Sequence, residues 1–397
     1  MVSVCFYFQV HQPYRLRKYH IFEIGNGGNY FDDAKNEAIC KKVSQKCYLP
    51  TNRLIYDLIY ETDGRFKVSY SITGVALEQF DKYCPEVIES FIDLIDTGAV
   101  ELLDETYYHS LAFLYSEREF REQVKLHRRT IREIFNYKPK VFRNTELIYN
   151  NRVADIVEDM GYKGVLAEGA DHILEWRSPN FLYKPITAKK IKLLLKNYRL
   201  SDDIAFRFSQ RSWDGWPLTS DKFAVWISAI NGNGNVVNLF MDYETFGEHQ
   251  WEDTGIFNFL RHLPNEILKN PDNDFKTPSE VIDTYEPVAE LDIQNIVSWA
   301  DIERDLSAWL GNKMQQTAIE ELYSLEESVR DSNDVNILED WRKMQIADHF
   351  YYMCTKWFND GDVHKYFNAY DRPHDAFITF MNVMTDLKIR LKELNSY

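Results

Sequence analysis

Apolar residues in this chain fall into two alternating textures. Short β-branched and aromatic runs are separated by longer stretches whose apolar positions recur every three or four residues. The first run, residues 2–10, predicts a strand that ends at His11-Gln12-Pro13. An irregular Gly- and Asn-rich loop over 22–32 follows, then a helical pattern around 54–62. Further strands are predicted over 66–72, 100–103, 141–142, 164–167 and 236–240. Helices are predicted over 77–96, with Gly98 as a stop signal, over 117–135, capped by Ser116, and over 153–160. Residues 191–195 and 223–227 add two further elements. Strands alternating with helices at this spacing imply βαβ units and a mostly parallel sheet, closed or nearly closed into a barrel. Residues 270–287, with three prolines and many acids, read as a loop closing it. From Asp301 the texture becomes helical over 306–325, 337–358 and 375–394, with Gly361 and Pro373 as breakers. The expected division is a catalytic α/β barrel over 1–290 and a helical C-terminal region over 291–397 that contributes to the cleft.

In such barrels chemistry sits at the carboxyl ends of strands. Two of these ends carry acids. Glu146 follows the 140–142 run among Asn144 and Thr145, polar groups able to hydrogen-bond a carboxylate. Asp242 follows five residues expected to be buried. A carboxylate there either pairs with a cation or has a raised pKa, as a general acid requires. One acid as nucleophile and one as proton donor and acceptor is what cleavage between sugars needs. Beside Asp242 lie Glu244, Glu248 and His249, not all of which can be catalytic, and Glu248 is expected only to fix His249. His11 and His109, at two other strand ends, can converge on the same place. A metal set of His11, His109 and Asp242 lacks the paired-Asp strand end and the His-x-x-x-His helix that usually accompany it, so no metal or cofactor is expected. Trp299 and Trp309, with Asn312 nearby, are candidates for a sugar platform. The polar stretch 196–203 either lines the cleft or solvates a loop.

Composition narrows the partners. The 397 residues carry 46 Lys and Arg against 62 Asp and Glu, a net charge of −16. Nucleic acid and anionic membrane both reward clustered cations, so neither is expected. Nine Trp, 25 Tyr and 25 Phe fill a large core and leave rings for a carbohydrate cleft. Five scattered cysteines without Cys-x-x-Cys spacing fit a reducing compartment. The first residues show no basic n-region or cleavage pattern, and no apolar run approaches the roughly 20 residues of a membrane span. A cytoplasmic location is expected.

Five blocks resemble the signature regions of glycoside hydrolase family 57, its α-amylase branch in particular: His11-Gln12-Pro13, residues 105–110, 143–150, 242–250 and 299–315. Stretches 167–171, 176–180 and 360–364 resemble the same branch. The resemblance implies an incomplete (β/α)7 barrel followed by an α-helical C-terminal region. It also implies a retaining mechanism on α-glucans without a catalytic metal. By motif position Glu146 matches the nucleophile and Asp242 the acid/base. His11, His109, Glu244 and Trp309 match sugar contacts, and Gln12 of the first block is a further substrate-binding candidate. The implied activity is an α-amylase-like hydrolysis of α-1,4-glucans such as starch, glycogen or maltooligosaccharides. A 4-α-glucanotransferase shares this chemistry, and a glycan-binding homologue without turnover would share the cleft.

Overall fold

The first apolar run becomes the centre of the fold. In the computed structural model, which describes residues 1–356 and 369–394, β1 (Val2–Val10) is buried at all nine positions. Such burial is expected of a strand covered on both faces and paired on both edges. On one edge β1 runs parallel to β2 (Val68–Ile72), which continues to β3 (Val100–Leu102). A parallel bridge between Asp104 and Phe142 joins β3 to β4 (Val141–Arg143), which pairs with β5 (Gly164–Glu168) and β6 (Lys192–Lys196). On its other edge β1 pairs with β7 (Val236–Asp242). A looser seam closes the ring between β6 and β7. There Asn197 N donates to Asn238 O at 2.9 Å, and the Asn238 side-chain amide donates to Leu195 O at 2.8 Å. A short strand β8 (Asn273–Phe275) pairs with the start of β1, below the reach of β2.

Alternation along each strand decides what enters the barrel. Cys5 and Tyr7 of β1, Val141 of β4, Leu194 of β6 and Val236 and Phe240 of β7 share one interior cluster. The intervening Phe6, Phe8, Leu239 and Met241 face helices such as Leu49–Glu61 and Ile256–Leu268. The same parity points the last inward residue of each strand at the axis. For β1 and β4 to β7 those residues are Gln9, Arg143, Glu168, Lys196 and Asp242, so an apolar barrel ends in a polar layer.

Several expected elements differ in extent. The helix expected over 77–96 is two, Gly74–Tyr83 and Pro85–Asp96, because Pro85 has no N–H to continue the first and serves as N1 of the second. Residues 223–227 lie in the helix Ser220–Ser228. The 270–287 stretch is not a plain loop, for it holds β8 and the helix Pro278–Thr284, capped reciprocally by Thr277 and Glu280. The Ser116 cap is in place: its hydroxyl accepts from Glu119 N at 3.1 Å and starts the helix Glu117–Phe135.

The C-terminal region is helical, with Lys313–Ser324, Val335–Lys343, Ala347–Tyr351 and Pro373–Leu394 as its main pieces. Pro373 begins the last helix instead of breaking one. The Gly361 breaker, the end of the 337–358 helix and the 360–364 stretch lie outside the described residues. The core of these helices, around Trp341 and Phe350, takes in Leu16, Tyr30, Leu111 and Ile148 from loops at the strand ends. Buried Glu119 binds Arg330 at 2.6 Å and Arg342 at 2.9 Å, tying the Glu117–Phe135 helix to the same region. The helices therefore cover the carboxyl rim of the barrel. Among the described residues no helix is long and apolar enough to cross a membrane.

Candidate active site

The polar layer opens into a cleft at the carboxyl ends of the strands. Eight of the nine residues singled out from the sequence line it: Glu146, Asp242, His11, Gln12, His109, Glu244, Trp299 and Trp309. Asn312 does not. Its side chain caps the helix Lys313–Ser324 and donates to Met353 O at 2.9 Å, which leaves it no place in the cleft. Glu248 also stays outside the cleft, its buried carboxylate lying 2.5 Å from Lys42 and 3.7 Å from Lys46. His249, expected to depend on it, lines the cleft. Of the 196–203 stretch, Lys196 and Asp202 line the cleft, while Tyr198 and Arg199 bind Asp171 near the surface.

Glu146 projects from a tight turn just beyond β4. Glu146 and Leu147 both adopt left-handed backbone, φ 57° and 50°, as does His109 at 49°. For residues with a Cβ such conformations cost of order 1–3 kcal/mol each and persist only where the surroundings enforce them. Here Leu147 is buried and Trp299 N donates to Glu146 O at 3.2 Å. Each oxygen of Glu146 then meets a donor. His109 Nε2 lies 2.8 Å from Oε1, and Trp299 Nε1 donates to Oε2 at 2.6 Å. Burial works to raise this carboxyl's pKa. The His109 hydrogen bond and charge, Arg143 and the Trp299 donor outweigh it and hold the group below the ordinary value.

His109 is charged for a reason visible in its neighbours. Burial works against protonation, but Glu105 on Nδ1 at 3.4 Å and Glu146 on Nε2 raise its pKa to about 9. Glu105, buried beneath it, is held down to about 2 despite that burial, by His109 and Arg143. Arg143 is fully buried, its guanidinium 3.7 Å from Glu105 and lying over the Trp299 ring at 5.0 Å. His11 stacks on His109 with ring centroids 4.0 Å apart. Burial and the His109 charge lower its pKa, so it serves as a neutral ring: Nε2 donates to Asp348 Oδ2 at 2.9 Å, and Nδ1 accepts from the Thr73 hydroxyl at 2.9 Å.

Asp242 has the opposite environment. It pairs in register with Gln9 of β1. Burial first, and then the charge on Glu146, push its pKa up to about 6, against the pull of Arg143, His109 and Lys196. Beside it Glu244 is pushed up to about 8 by burial and by the Asp242 charge, and Tyr48 OH donates to it. Near neutral pH Glu244 is thus largely protonated.

His11, His109 and Asp348 can bring three ligand atoms within 4.8 Å of one another. That set includes Asp348 where the sequence suggested Asp242. The Nε2 atoms of both histidines are already engaged, on Asp348 and on Glu146. Residues not singled out as site members include Arg143, Lys196 and Asp348. Strand parity gives the first two, since each is the last inward position of its strand. Asp348 has no such signal, because an acid in a short amphipathic helix reads as surface.

The family model described as Glycosyl hydrolase family 57 matches residues 5–294. A Methanocaldococcus jannaschii protein named "Putative alpha-amylase" is 47% identical over 407 residues, which cover 98% of this chain and 85% of that protein. Among solved structures, the 4-alpha-glucanotransferase of Thermococcus litoralis superposes with a TM-score of 0.66 at 15% identity. That match covers 88% of this chain and 56% of the other, so this chain spans little more than half of that enzyme. The alpha-amylase AmyC of Thermotoga maritima superposes with a TM-score of 0.64 at 13% identity, over 98% of this chain and 93% of its own. At these identities the two superpositions show the fold, an α/β barrel with a helical C-terminal region.

Proposed function

Because the chain belongs to glycosyl hydrolase family 57, we propose that it is a retaining α-glucan hydrolase of the α-amylase type, with Glu146 as nucleophile and Asp242 as acid/base. The observation that carries this reading is the opposite displacement of two carboxyls in one cleft, Glu146 down and Asp242 up to about 6. A pair pushed apart in this way divides the roles of base and acid.

The first step uses that difference. Glu146, ionised and held by two donors, attacks the anomeric carbon. The bond to the glycosidic oxygen breaks, and Asp242 delivers its proton to the leaving oxygen. Esterification removes the negative charge of Glu146, which is one of the two causes of the raised Asp242 pKa. The Asp242 pKa therefore falls once the intermediate forms, so the carboxyl is ionised when it is needed as a base. In the second step it takes a proton from water, water attacks the anomeric carbon, and Glu146 leaves. Two inversions give net retention. His109 holds its own proton throughout, as a hydrogen-bond donor to Glu146. Trp299 and Trp309 are proposed as apolar walls for sugar rings, Gln12 and Glu244 as polar ones, and the stacked His11 and His109 rings, whose nitrogens are engaged, as a flat face beside them.

Residues 1–290 are proposed as the catalytic barrel, with 291–397 supplying Trp299, Trp309 and the cover of the cleft. Five free, buried cysteines support a reducing compartment such as the cytoplasm. The net charge of −16 supports a neutral glycan over an anionic polymer as partner.

The test is to incubate purified protein with maltoheptaose, size the products and read their anomeric configuration by proton NMR. Shorter products released as the α-anomer support retaining hydrolysis. Products longer than the substrate assign a 4-α-glucanotransferase instead, with a sugar hydroxyl in place of water. Binding without products would mark a silent homologue, and release of the β-anomer would overturn the nucleophilic role of Glu146.

A further inference from the structure

Among the carboxylates that line the cleft but take no part in the two-step reaction, Asp348 comes from the helical region and binds a histidine of the site. Asp348 lies in the short helix Ala347–Tyr351 and lines the cleft with its side chain one-quarter exposed. Its Oδ2 accepts from His11 Nε2 at 2.9 Å, whereas its Oδ1 has no protein partner among the described residues. His11 has both ring nitrogens engaged, on Asp348 and on Thr73, so it offers no ring donor or acceptor to a substrate. The acceptor left free at that point of the cleft is Asp348 Oδ1. The neighbouring His11 and His109 lower the pKa of Asp348 against the effect of burial, so it stays ionised at working pH.

Its position relative to the chemistry is fixed by short links. Ligand atoms of Asp348, His11 and His109 lie within 4.8 Å of one another, His11 stacks on His109 at 4.0 Å, and His109 Nε2 is 2.8 Å from Glu146. A hydroxyl donated to Asp348 therefore belongs to the sugar that Glu146 attacks, not to a distant part of the chain.

We propose that Asp348 binds the reacting sugar directly, its Oδ1 accepting a glucosyl hydroxyl while its Oδ2 fixes His11 and, through the stacked rings, the aim of His109 at Glu146. This rests on the glucan reading above. It makes Asp348, in place of the His11 ring nitrogens, the polar sugar contact at this point. It also gives the helical region a direct grip on the substrate.

A substrate-by-variant cycle tests it. The substrates are α-maltotriosyl fluoride and three analogues lacking the 2-, 3- or 6-hydroxyl of the fluoride-bearing sugar. The enzymes are wild type, Asp348→Asn and Asp348→Ala, each checked by thermal unfolding. A hydroxyl bound to a charged acceptor is worth about 10–10²-fold in kcat/KM. One of the three deoxygenations should cost wild type that factor, cost Asp348→Ala less than threefold, and cost Asp348→Asn an intermediate amount. Should Asp348→Ala fail to fold, Asp348→Asn carries the comparison alone. A purely structural role lowers every substrate equally, and that result would overturn the inference. If wild type cleaves neither the parent fluoride nor maltoheptaose, it is the glucan reading that fails.

Discussion

The walls behind Glu146 and Asp242 differ more than the two acids do. Around Glu146, at the β4 end, stand an imidazolium and an indole N–H that contact its oxygens and a buried guanidinium whose charge also lowers its pKa. On the β7 side a strand buried almost throughout ends in Asp242, and Glu244, two residues on, is itself an acid with its pKa raised to about 8. Both carboxyls lose solvent. At the first, hydrogen bonds and opposite charge together outweigh burial; at Asp242 the pull of Arg143, His109 and Lys196 does not. Burial alone thus does not assign a role; what replaces the water does.

The largest effect should come from removing the acid on the donor-rich side. Glu146→Ala should lower kcat/KM on starch by about 10⁴-fold or more, and azide should restore part of it while giving a product of inverted configuration. Product NMR checks this, and rescue with retention would remove Glu146 from the nucleophile's place. On the opposite wall, Asp242→Asn should cost about 10²–10⁴-fold on starch and much less on a glycosyl fluoride, whose leaving group needs no proton. Equal losses on both substrates would mean the general acid is another group. A smaller effect, about 10²-fold, is expected for His109→Asn. It also moves the acidic limb of the rate profile upward, because Glu146 loses its main compensating charge. The smallest effect should be Glu244→Gln. Below about pH 7 Glu244 is already neutral, so at pH 6 the variant should stay within tenfold of wild type.

The same contrast sets the pH profile. Activity needs Glu146 ionised and Asp242 protonated. The low-pH limb therefore lies below the ordinary glutamate value, and activity falls as pH rises through about 6. A plateau extending above pH 8 would contradict the assignment of the acid.

The contrast was half legible in the sequence. Burial of the run before Asp242 follows from four apolar residues among the five that precede it, and a raised pKa follows from burial. The depressed Glu146 depended on His109 first, then on Arg143 and Trp299, and neither His109 nor Trp299 lies near it in sequence. Strand parity would have pointed Arg143 and Lys196 inward, because a period of two needs no tertiary knowledge. Asp348 and Asn312 mark the limit. Both sit in helical sequence beside aromatic residues, yet one reaches the cleft and the other caps a helix, a difference set by how the C-terminal helices lie on the rim. Pro85 and the Thr277–Glu280 box are punctuation that the sequence carries, but apolar periodicity runs through the first and prolines dominate the stretch around the second.

The central claim is that Asp242 holds its proton partly because Glu146 is charged. Its most direct test is the titration of the Asp242 carboxyl by carbon-13 NMR in wild type and in Glu146→Gln. The account predicts a midpoint near 6 in wild type. It predicts a lower midpoint in the variant, still above the ordinary aspartate value because burial remains. An unchanged midpoint in the variant, or an ordinary value near 4 in wild type, would contradict it.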